Sequence, residues 1–160
     1  MRVIVERDYE AVSERAAKHV VATTTSALPT EQKPFVLGLP TGSTPIGMYR
    51  RLVEMNHRGR ISFQHVITFN MDEYVGLPEN DPASYHAFMW EHFLGRIDIP
   101  IENVNILDGN APDLEAECAA YEERIHRFGG VDLFIGGLGA NGHLAFNEPG
   151  SSLASRTRIV

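Results

Sequence analysis

The 160-residue chain has little cysteine and lacks long apolar runs, and both absences narrow the kind of protein it can be. With Cys118 as its single cysteine it cannot form an internal disulfide, which is typical of a protein of the reducing cytoplasm. No run approaches the roughly 18 consecutive apolar residues of a transmembrane helix, and charge interrupts the apolar N-terminus too early for a signal peptide. We therefore expect a cytoplasmic protein that does not bind membranes.

Basic residues are also in deficit, with 14 lysines and arginines against 21 acidic residues and a net charge of −7. A negative field of this kind disfavours nucleic acid and anionic lipid surfaces as partners. It does not exclude a small phosphorylated ligand, because local backbone amides and a few basic groups can hold such a ligand. The charge balance therefore predicts no nucleic-acid partner and leaves a small anionic substrate open.

The composition that remains is that of an ordinary globular protein, with 43% apolar and 22% charged residues. The length predicts one domain over residues 1–160. Strand-like and helix-like segments alternate, which predicts an α/β fold with a mainly parallel sheet. The predicted strands are short and rich in β-branched or aromatic residues, and they cover residues 3–5, 35–39, 66–70 and 131–135.

Helices are predicted where apolar residues recur at helical spacing between capping residues. The first runs from Tyr9 to about Leu28, and the second follows Pro45 and runs to about Arg58. The third begins after a cap at Asp81 with Pro82 at its first position, and the fourth begins after a cap at Asp113 and is ended by Gly129-Gly130. The last five residues, 156–160, are strand-like and have no helix cap or polar tail. We therefore expect a fold that is truncated at its C-terminus.

The first motif, Leu39-Pro40-Thr41-Gly42-Ser43-Thr44-Pro45, lies where a predicted strand gives way to a helix. Gly42 allows a tight turn, and Ser43 or Thr44 can cap the helix with Pro45 at its first position. Free N–H groups and hydroxyls at such a point predict an anion site, and phosphate is the usual anion. A plain strand-to-helix turn with good caps explains this motif equally well.

The second motif, Phe69-Asn70-Met71-Asp72-Glu73-Tyr74, ends another predicted strand. Ligands of open α/β sheets bind beyond the carboxyl ends of the strands, so a carboxylate here is placed for proton abstraction. Asp72 and Glu73 are adjacent and would point in opposite directions on an extended chain. Periodicity does not decide which of them faces a ligand, and two solvated loop acids are the alternative.

The third motif is the glycine-rich segment from Gly136 to Gly150, which again follows a predicted strand. Its one histidine, His143, has an ordinary pKa near neutrality that suits a general acid or base. Asn141 and Glu148 are candidate partners that orient its ring. A glycine loop with a surface histidine is the alternative interpretation.

No metal or cofactor is predicted. Nothing matches the dinucleotide fingerprint or the phosphate loop of nucleotide triphosphatases. The other six histidines show no metal-ligand spacing, and a surface or satisfied core role is expected for His19, His57, His65, His86, His92 and His126.

Taken together and in order, three blocks resemble the glucosamine-6-phosphate deaminase family: residues 39–45, 69–78 and 142–152. Residues 108–111 and 155–158 also match. The resemblance implies a Rossmann-like sheet with helices on both faces and no cofactor. It also implies a reaction that converts glucosamine 6-phosphate and water to fructose 6-phosphate and ammonia.

The resemblance further implies roles for individual residues. The substrate is held by the loops that carry Thr41, Gly42, Ser43 and Thr44, and Gly137 and Gly139. Asp72 moves a proton from C2 to C1, and His143 opens the sugar ring with help from Glu148. Asn141 stands where the family commonly has aspartate; its amide can accept a hydrogen bond from the His143 ring but brings no charge.

Regulation and assembly are also implied by the resemblance. Many bacterial members are allosteric hexamers, so we expect a homo-oligomer. Ser151 and Arg158 match positions of the allosteric site, whereas Val160 replaces a lysine expected beside them, which argues against regulation of this chain. Family members continue well beyond residue 160, through elements that complete the phosphate pocket.

Two other functions fit parts of the sequence. 6-Phosphogluconolactonases share the architecture and the glycine–histidine loop, although Tyr74 and the run Ala145-Phe146-Asn147-Glu148 favour the deaminase. A non-catalytic sugar-phosphate-binding fragment is the third hypothesis, motivated by Asn141 and the expected truncation.

Overall fold

The computed structural model describes residues 2–152 and 154–160. Its helices are α1 (Tyr9–Ala27), α2 (Ile46–His57), α3 (Tyr85–His92) and α4 (Leu114–Arg127). Its strands are β1 (Phe35–Leu39), β2 (Val66–Asn70), β3 (Val104–Asn105) and β4 (Leu133–Phe134), and short 3₁₀ turns at Leu94–Arg96 and Ile101–Asn103 precede β3. Within the described residues, no helix is both long and apolar enough to cross a bilayer.

The four strands form one parallel sheet in the order β3-β2-β1-β4. The chain steps outward from β1 to β2 and β3, and β4 then returns to the free side of β1, where Leu37 is in register with Leu133. This reversal of direction is a topological switch point, and ligands of open α/β sheets bind outside the carboxyl ends of the strands there. The predicted α/β fold with a parallel sheet is confirmed.

Helices cover both faces of the sheet, as the family resemblance implied. On one face α1, α2 and α3 enclose the larger core, in which Tyr49 stacks on Phe93 with ring centroids 4.8 Å apart. On the other face Tyr121 of α4 packs edge-on against Phe69 of β2, with centroids 5.4 Å apart. Each such buried aromatic side chain contributes roughly 1.5–3 kcal/mol by leaving water, so the sheet is held rigidly between the helices.

The helix caps agree with the prediction at α4 and differ at α2. Asp113 accepts a hydrogen bond from the Ala116 N–H at 2.9 Å, as the sequence predicted. At α2 the cap position is held by Pro45, and neither Ser43 nor Thr44 caps the helix with its side chain. The Tyr9 hydroxyl of α1 takes that place, because it accepts from the Gly47 N–H at 2.9 Å and donates to the preceding turn.

The start of α3 also differs from the prediction. Ser84 is its cap and accepts from the Ala87 N–H at 3.0 Å, whereas the predicted cap Asp81 accepts from the Ala83 N–H at 2.8 Å. Asp81 therefore closes the turn that leads into the helix, and Pro82 lies in that turn.

Two strand predictions were wrong, and one short strand was missed. Residues 3–5 and 156–160 form no strand among the described residues, although both are rich in apolar side chains. β-branched residues favour a strand only where a neighbouring strand accepts their hydrogen bonds, and the described chain supplies none there. The two-residue strand β3 was not predicted, since a segment so short has no periodicity to read.

Candidate functional site

Three loops meet at the carboxyl edge of the sheet. Residues 40–45 follow β1, residues 71–84 follow β2, and residues 135–150 follow β4. Because β1 lies between β2 and β4, its loop is flanked by the other two. The topology therefore brings the three sequence motifs to one side of the sheet.

The loop after β1 is open to solvent and rich in unused donors. The backbone N–H groups of Gly42, Ser43 and Thr44 donate to no residue in the part of the chain that the structure describes. Gly42 has φ +94° and nothing within 4 Å of the position of a β-carbon, so only glycine takes this turn without strain. The amino end of α2 follows directly, and its positive dipole adds to an arrangement that suits an anion.

Asp72 carries an unpaired carboxyl at the end of β2. Its Oδ1 atom is buried, and no described residue donates a hydrogen bond to it. Burial, and then the neighbouring charge of Glu73, raises the pKa of Asp72 to about 6. A carboxylate with this pKa is still ionised at neutral pH and is a stronger base than an ordinary aspartate, which suits proton abstraction.

Glu73, the other carboxylate of this motif, has a different environment from Asp72. Its carboxylate is 3% exposed and accepts from the backbone N–H groups of Tyr74, Tyr85 and His86 at 2.7, 2.9 and 2.9 Å. The His86 ring nitrogen Nδ1 lies 2.9 Å from it as well. Burial acts to raise the pKa of Glu73, but these hydrogen bonds outweigh it and lower the pKa. Glu73 is therefore occupied by α3, and Asp72 keeps the unpaired oxygen.

The glycine-rich loop holds His143 in a hydrogen-bonded chain. The Asn141 Nδ2 atom donates to Glu148 at 2.7 Å, and the Asn141 Oδ1 atom lies 2.7 Å from His143 Nδ1. Since an ionised carboxylate only accepts, the amide nitrogen of Asn141 must face Glu148 and its oxygen must face the ring. The proton of the neutral ring then sits on Nδ1, and Nε2 is left as the acceptor.

Two glycines shape this loop. Gly142 has φ +91° and donates to the carbonyl of Gly139 at 2.9 Å, which closes the turn before His143. A β-carbon on Gly139 would lie 2.2 Å from the His143 ring, so the ring occupies space that any other residue would fill. Gly137, by contrast, has nothing within 4 Å of its β-carbon position and faces open space.

An aromatic cluster of Tyr74, Tyr85 and Phe146 joins the loops. The Tyr74 ring centroid lies 4.8 Å from that of Tyr85 and 5.5 Å from that of Phe146. The Tyr85 hydroxyl donates to that of Tyr74 at 3.3 Å, and burial followed by this contact raises the pKa of Tyr85. Tyr85 therefore borders the site.

Sequence reasoning missed Tyr85 and His86 and their contacts with Glu73. Their contacts link a loop to the first turn of a helix 12 or 13 residues later, and no motif spacing signals such a link. The sequence predicted only a core or surface role for His86 and did not predict its contact with Glu73.

A cavity of about 750 Å³ runs from Asp72 along α4 to the C-terminal segment. Glu148 and Arg158 line it, whereas His143 and residues 41–44 do not. Arg158 donates to Asn147 at 2.7 Å and to Ser155 at 2.9 Å, and Ser151 donates its backbone N–H to the Glu148 carbonyl. Among the described residues, no three His, Cys, Asp or Glu side chains converge as they would around a metal ion.

Comparison with known proteins identifies the family. The family model for glucosamine-6-phosphate isomerases and 6-phosphogluconolactonases matches residues 7–159. A glucosamine-6-phosphate deaminase of Phocaeicola vulgatus is 64% identical over 159 residues, which are 99% of this chain and 60% of that protein. One of Parabacteroides distasonis is 65% identical over 99% of this chain and 59% of its own length.

Solved structures agree. A monomeric glucosamine-6-phosphate deaminase superposes with a TM-score of 0.93 at 42% identity, over all of this chain and 64% of that one. The 6-phosphogluconolactonase of Thermotoga maritima superposes at 0.73 with 23% identity, over 90% of this chain and 62% of that one, and shows the shared fold. The chain thus spans about 60% of the length of the curated relatives it matches. The family resemblance read from the sequence is confirmed, and the chain belongs to the family of glucosamine-6-phosphate isomerases and 6-phosphogluconolactonases.

Proposed function

We propose that this chain carries the catalytic part of a glucosamine-6-phosphate deaminase. The observation that carries the proposal is the unpaired Asp72 carboxyl with its pKa raised to about 6, at the sheet edge shared with the His143 chain and the open amides of residues 42–44. Relatives above 60% identity that bear this name support it. The substrate is a small amino-sugar phosphate, and the net reaction consumes water and releases ammonia.

The reaction includes several proton transfers, which different residues carry out. Ring opening moves a proton from the C1 hydroxyl to the ring oxygen, and His143 can take and return it at Nε2, while Asn141 and Glu148 orient the ring. Asp72 then removes the proton at C2, the C1 carbonyl becomes an enol, and the intermediate is an enolamine. Return of the proton to C1 leaves an imine at C2, and water replaces ammonia there.

The loop after β1 binds the phosphate group of the substrate. The amides of Gly42, Ser43 and Thr44 and the amino end of α2 supply donors and positive potential. Thr41 acts to lower the pKa of Tyr85, so the phosphate loop lies next to the aromatic cluster. The uncovered backbone of Gly137 allows a sugar to approach closely, and Gly139 acts through the His143 ring.

We further propose a hydrolase of the cytoplasm that forms a homo-oligomer and needs no cofactor. The 42%-identical deaminase is monomeric, so sedimentation of the purified chain distinguishes the two assembly states. Regulation through Ser151 and Arg158 is not expected, since Arg158 is occupied by Asn147 and Ser155.

Ammonia release from glucosamine 6-phosphate by the 160-residue chain tests the proposal, with fructose 6-phosphate measured in parallel. Asp72→Asn is the control, since it keeps the shape and removes the base; it should bind the sugar phosphate in calorimetry without turnover. Hydrolysis of 6-phosphogluconolactone without ammonia release would instead assign a lactonase. Binding of glucosamine 6-phosphate by the unaltered chain with no turnover would indicate a non-catalytic fragment.

A further inference from the structure

The carboxyl that performs the proposed chemistry has no hydrogen bond of its own to hold it. Asp72 Oδ1 is buried and receives no hydrogen bond from any residue that the structure describes. A side chain without partners is positioned by its backbone, and the backbone here belongs to a loop. The position of Asp72 therefore depends on what restrains residues 72–74.

Glu73 supplies that restraint. Its carboxylate binds the Tyr85 and His86 N–H groups at the amino end of α3 and the His86 ring, and it also closes back on the Tyr74 N–H. The loop after β2 is thus fastened to a helix that is packed into the larger core through Met89. With 3% exposure the carboxylate is almost wholly removed from solvent.

We propose that Glu73 is a positioning residue for Asp72: a buried negative charge, locked onto α3 by His86, that both places the base and disfavours its ionisation. The catalytic meaning of this inference rests on the proposed deaminase. Its effect on the Asp72 carboxyl does not, because that effect follows from charge and geometry alone.

The sign of the effect follows from the charges around the pair. Asp72 interacts electrostatically with Glu73, with Tyr85 of α3 and with Tyr121 of α4, and of these three groups only Glu73 carries a charge near neutral pH. Like charges in a partly buried site raise the pKa of a carboxyl. The His86 ring beside Glu73 has its own pKa raised by that contact, with smaller contributions from Glu79 and Asp108, and its positive charge offsets part of the field of Glu73.

Two substitutions should therefore move Asp72 in opposite directions. Glu73→Gln keeps one oxygen for the Tyr74 and Tyr85 N–H groups and loses the acceptor of the His86 N–H group. It also removes the negative charge, so the pKa of Asp72 should fall. His86→Gln removes the positive charge and leaves Glu73 ionised on three backbone N–H groups, so the pKa of Asp72 should rise.

The test is a ¹³C NMR titration of the Asp72 carboxyl in the 160-residue chain and in both variants. Glu79→Gln is the matched control: Glu79 lies 3.6 Å from the other nitrogen of His86, but it is 68% exposed and screened by solvent. Its removal should leave the Asp72 midpoint close to that of the unaltered chain.

Opposite shifts in the two variants support the proposal, whereas shifts of the same sign or no shift in either overturn it. Should Glu73→Gln fail to fold, His86→Gln alone decides, and an unmoved midpoint there overturns the proposal. The titration needs no substrate, so the proposal about Glu73 is tested whether or not the chain releases ammonia. In an active chain, the acid limb of kcat/KM should move with the NMR midpoint.

Discussion

The His143 ring lies against the backbone of Gly139, at a place where a β-carbon on residue 139 would stand 2.2 Å from the ring atom Cε1. The same two residues are joined by a hydrogen bond of 2.9 Å from the Gly139 N–H to the His143 carbonyl. The absence of one side chain therefore sets the position of another. A shift of the Gly139 backbone would therefore also shift the His143 ring.

Gly139→Ala should displace the His143 ring. We expect destabilisation of roughly 1–3 kcal/mol, the usual cost of overpacking. Turnover should fall by about 10²- to 10⁴-fold, the range for loss of a general acid or base. For stability and for the His143 signals, Gly137→Ala is the control, because a β-carbon there meets nothing within 4 Å. Turnover is compared only between Gly139→Ala and the unaltered chain. The ring signals of His143 in NMR should shift in the first variant only, and unchanged signals in Gly139→Ala would contradict the packing.

The pH dependence of kcat/KM should follow the ionisation of Asp72. A base acts in its ionised form, and burial and Glu73 raise the pKa of this one to about 6. Activity should therefore be on a plateau above that pH and fall about tenfold for each pH unit below it. A profile that stays flat to pH 4.5 would show that a group with an ordinary carboxyl pKa limits the rate.

The same carboxyl should cost stability at neutral pH. Its pKa is higher in the folded chain, about 6, than the ordinary value of 3.8, so the stability contributed by its bound proton is lost as the pH rises through 6. Asp72→Asn should therefore unfold at higher urea concentration than the unaltered chain at pH 8. After allowance for solvent screening of a carboxyl that is only partly buried, we expect about 1–2 kcal/mol.

That gain should shrink as the pH falls towards 4, because the unaltered chain is then protonated at Asp72. Glu102→Gln serves as the control, since Glu102 is exposed and lies at the amino end of β3, on the opposite edge of the sheet. A gain of equal size in Glu102→Gln would attribute the effect to net charge instead of the buried site.

Asn141→Ala should separate His143 from Glu148. The two contacts of 2.7 Å through Asn141 are lost, and the ring is no longer held in the form that leaves Nε2 as acceptor. Because Asn141 and Glu148 are exposed, we expect a fall in kcat of roughly 10- to 100-fold, less than the loss of the acid–base group itself. KM should change little.

Asn147→Ala provides the comparison for that variant, since Asn147 lies in the same loop but contacts Leu144 and Arg158 instead of the histidine. Its kcat should stay near that of the unaltered chain. Equal losses in both variants would mean that Asn141 acts through the stability of the loop.

The sequence predicted the buried strands β1 and β2 to the residue, and it predicted α1, α2 and α4 to within about one residue, because their signals are local. Apolar runs, caps such as Asp113, and a stop such as Gly59 at φ +65° act within a few positions of themselves. The cap of α2 could not be predicted in this way. Tyr9 reaches Gly47 across 38 positions, and only the folded chain brings them together.

The candidate site shows the same division. The three motifs and their order along the chain were visible, and the parallel sheet accounts for their convergence. The choice between Asp72 and Glu73 was not visible by periodicity, since it depends on where α3 begins and on which carboxylate its N–H groups capture. Local pattern therefore identifies the chemical groups, and tertiary hydrogen bonds determine which of them remain unpaired.

The pairing of β4 with β1 has a consequence for folding kinetics. Asp132 accepts a hydrogen bond from the Val36 N–H across 96 positions, whereas β1, β2 and the helices around them join over shorter spans. Closing so long a loop carries the larger entropic cost and slows folding. The segment that contains β1, β2 and β3 carries Asp72 in the loop after β2, whereas His143 lies in the loop after β4. Asp72 and His143 thus come to the same side of the sheet only after β4 has paired with β1.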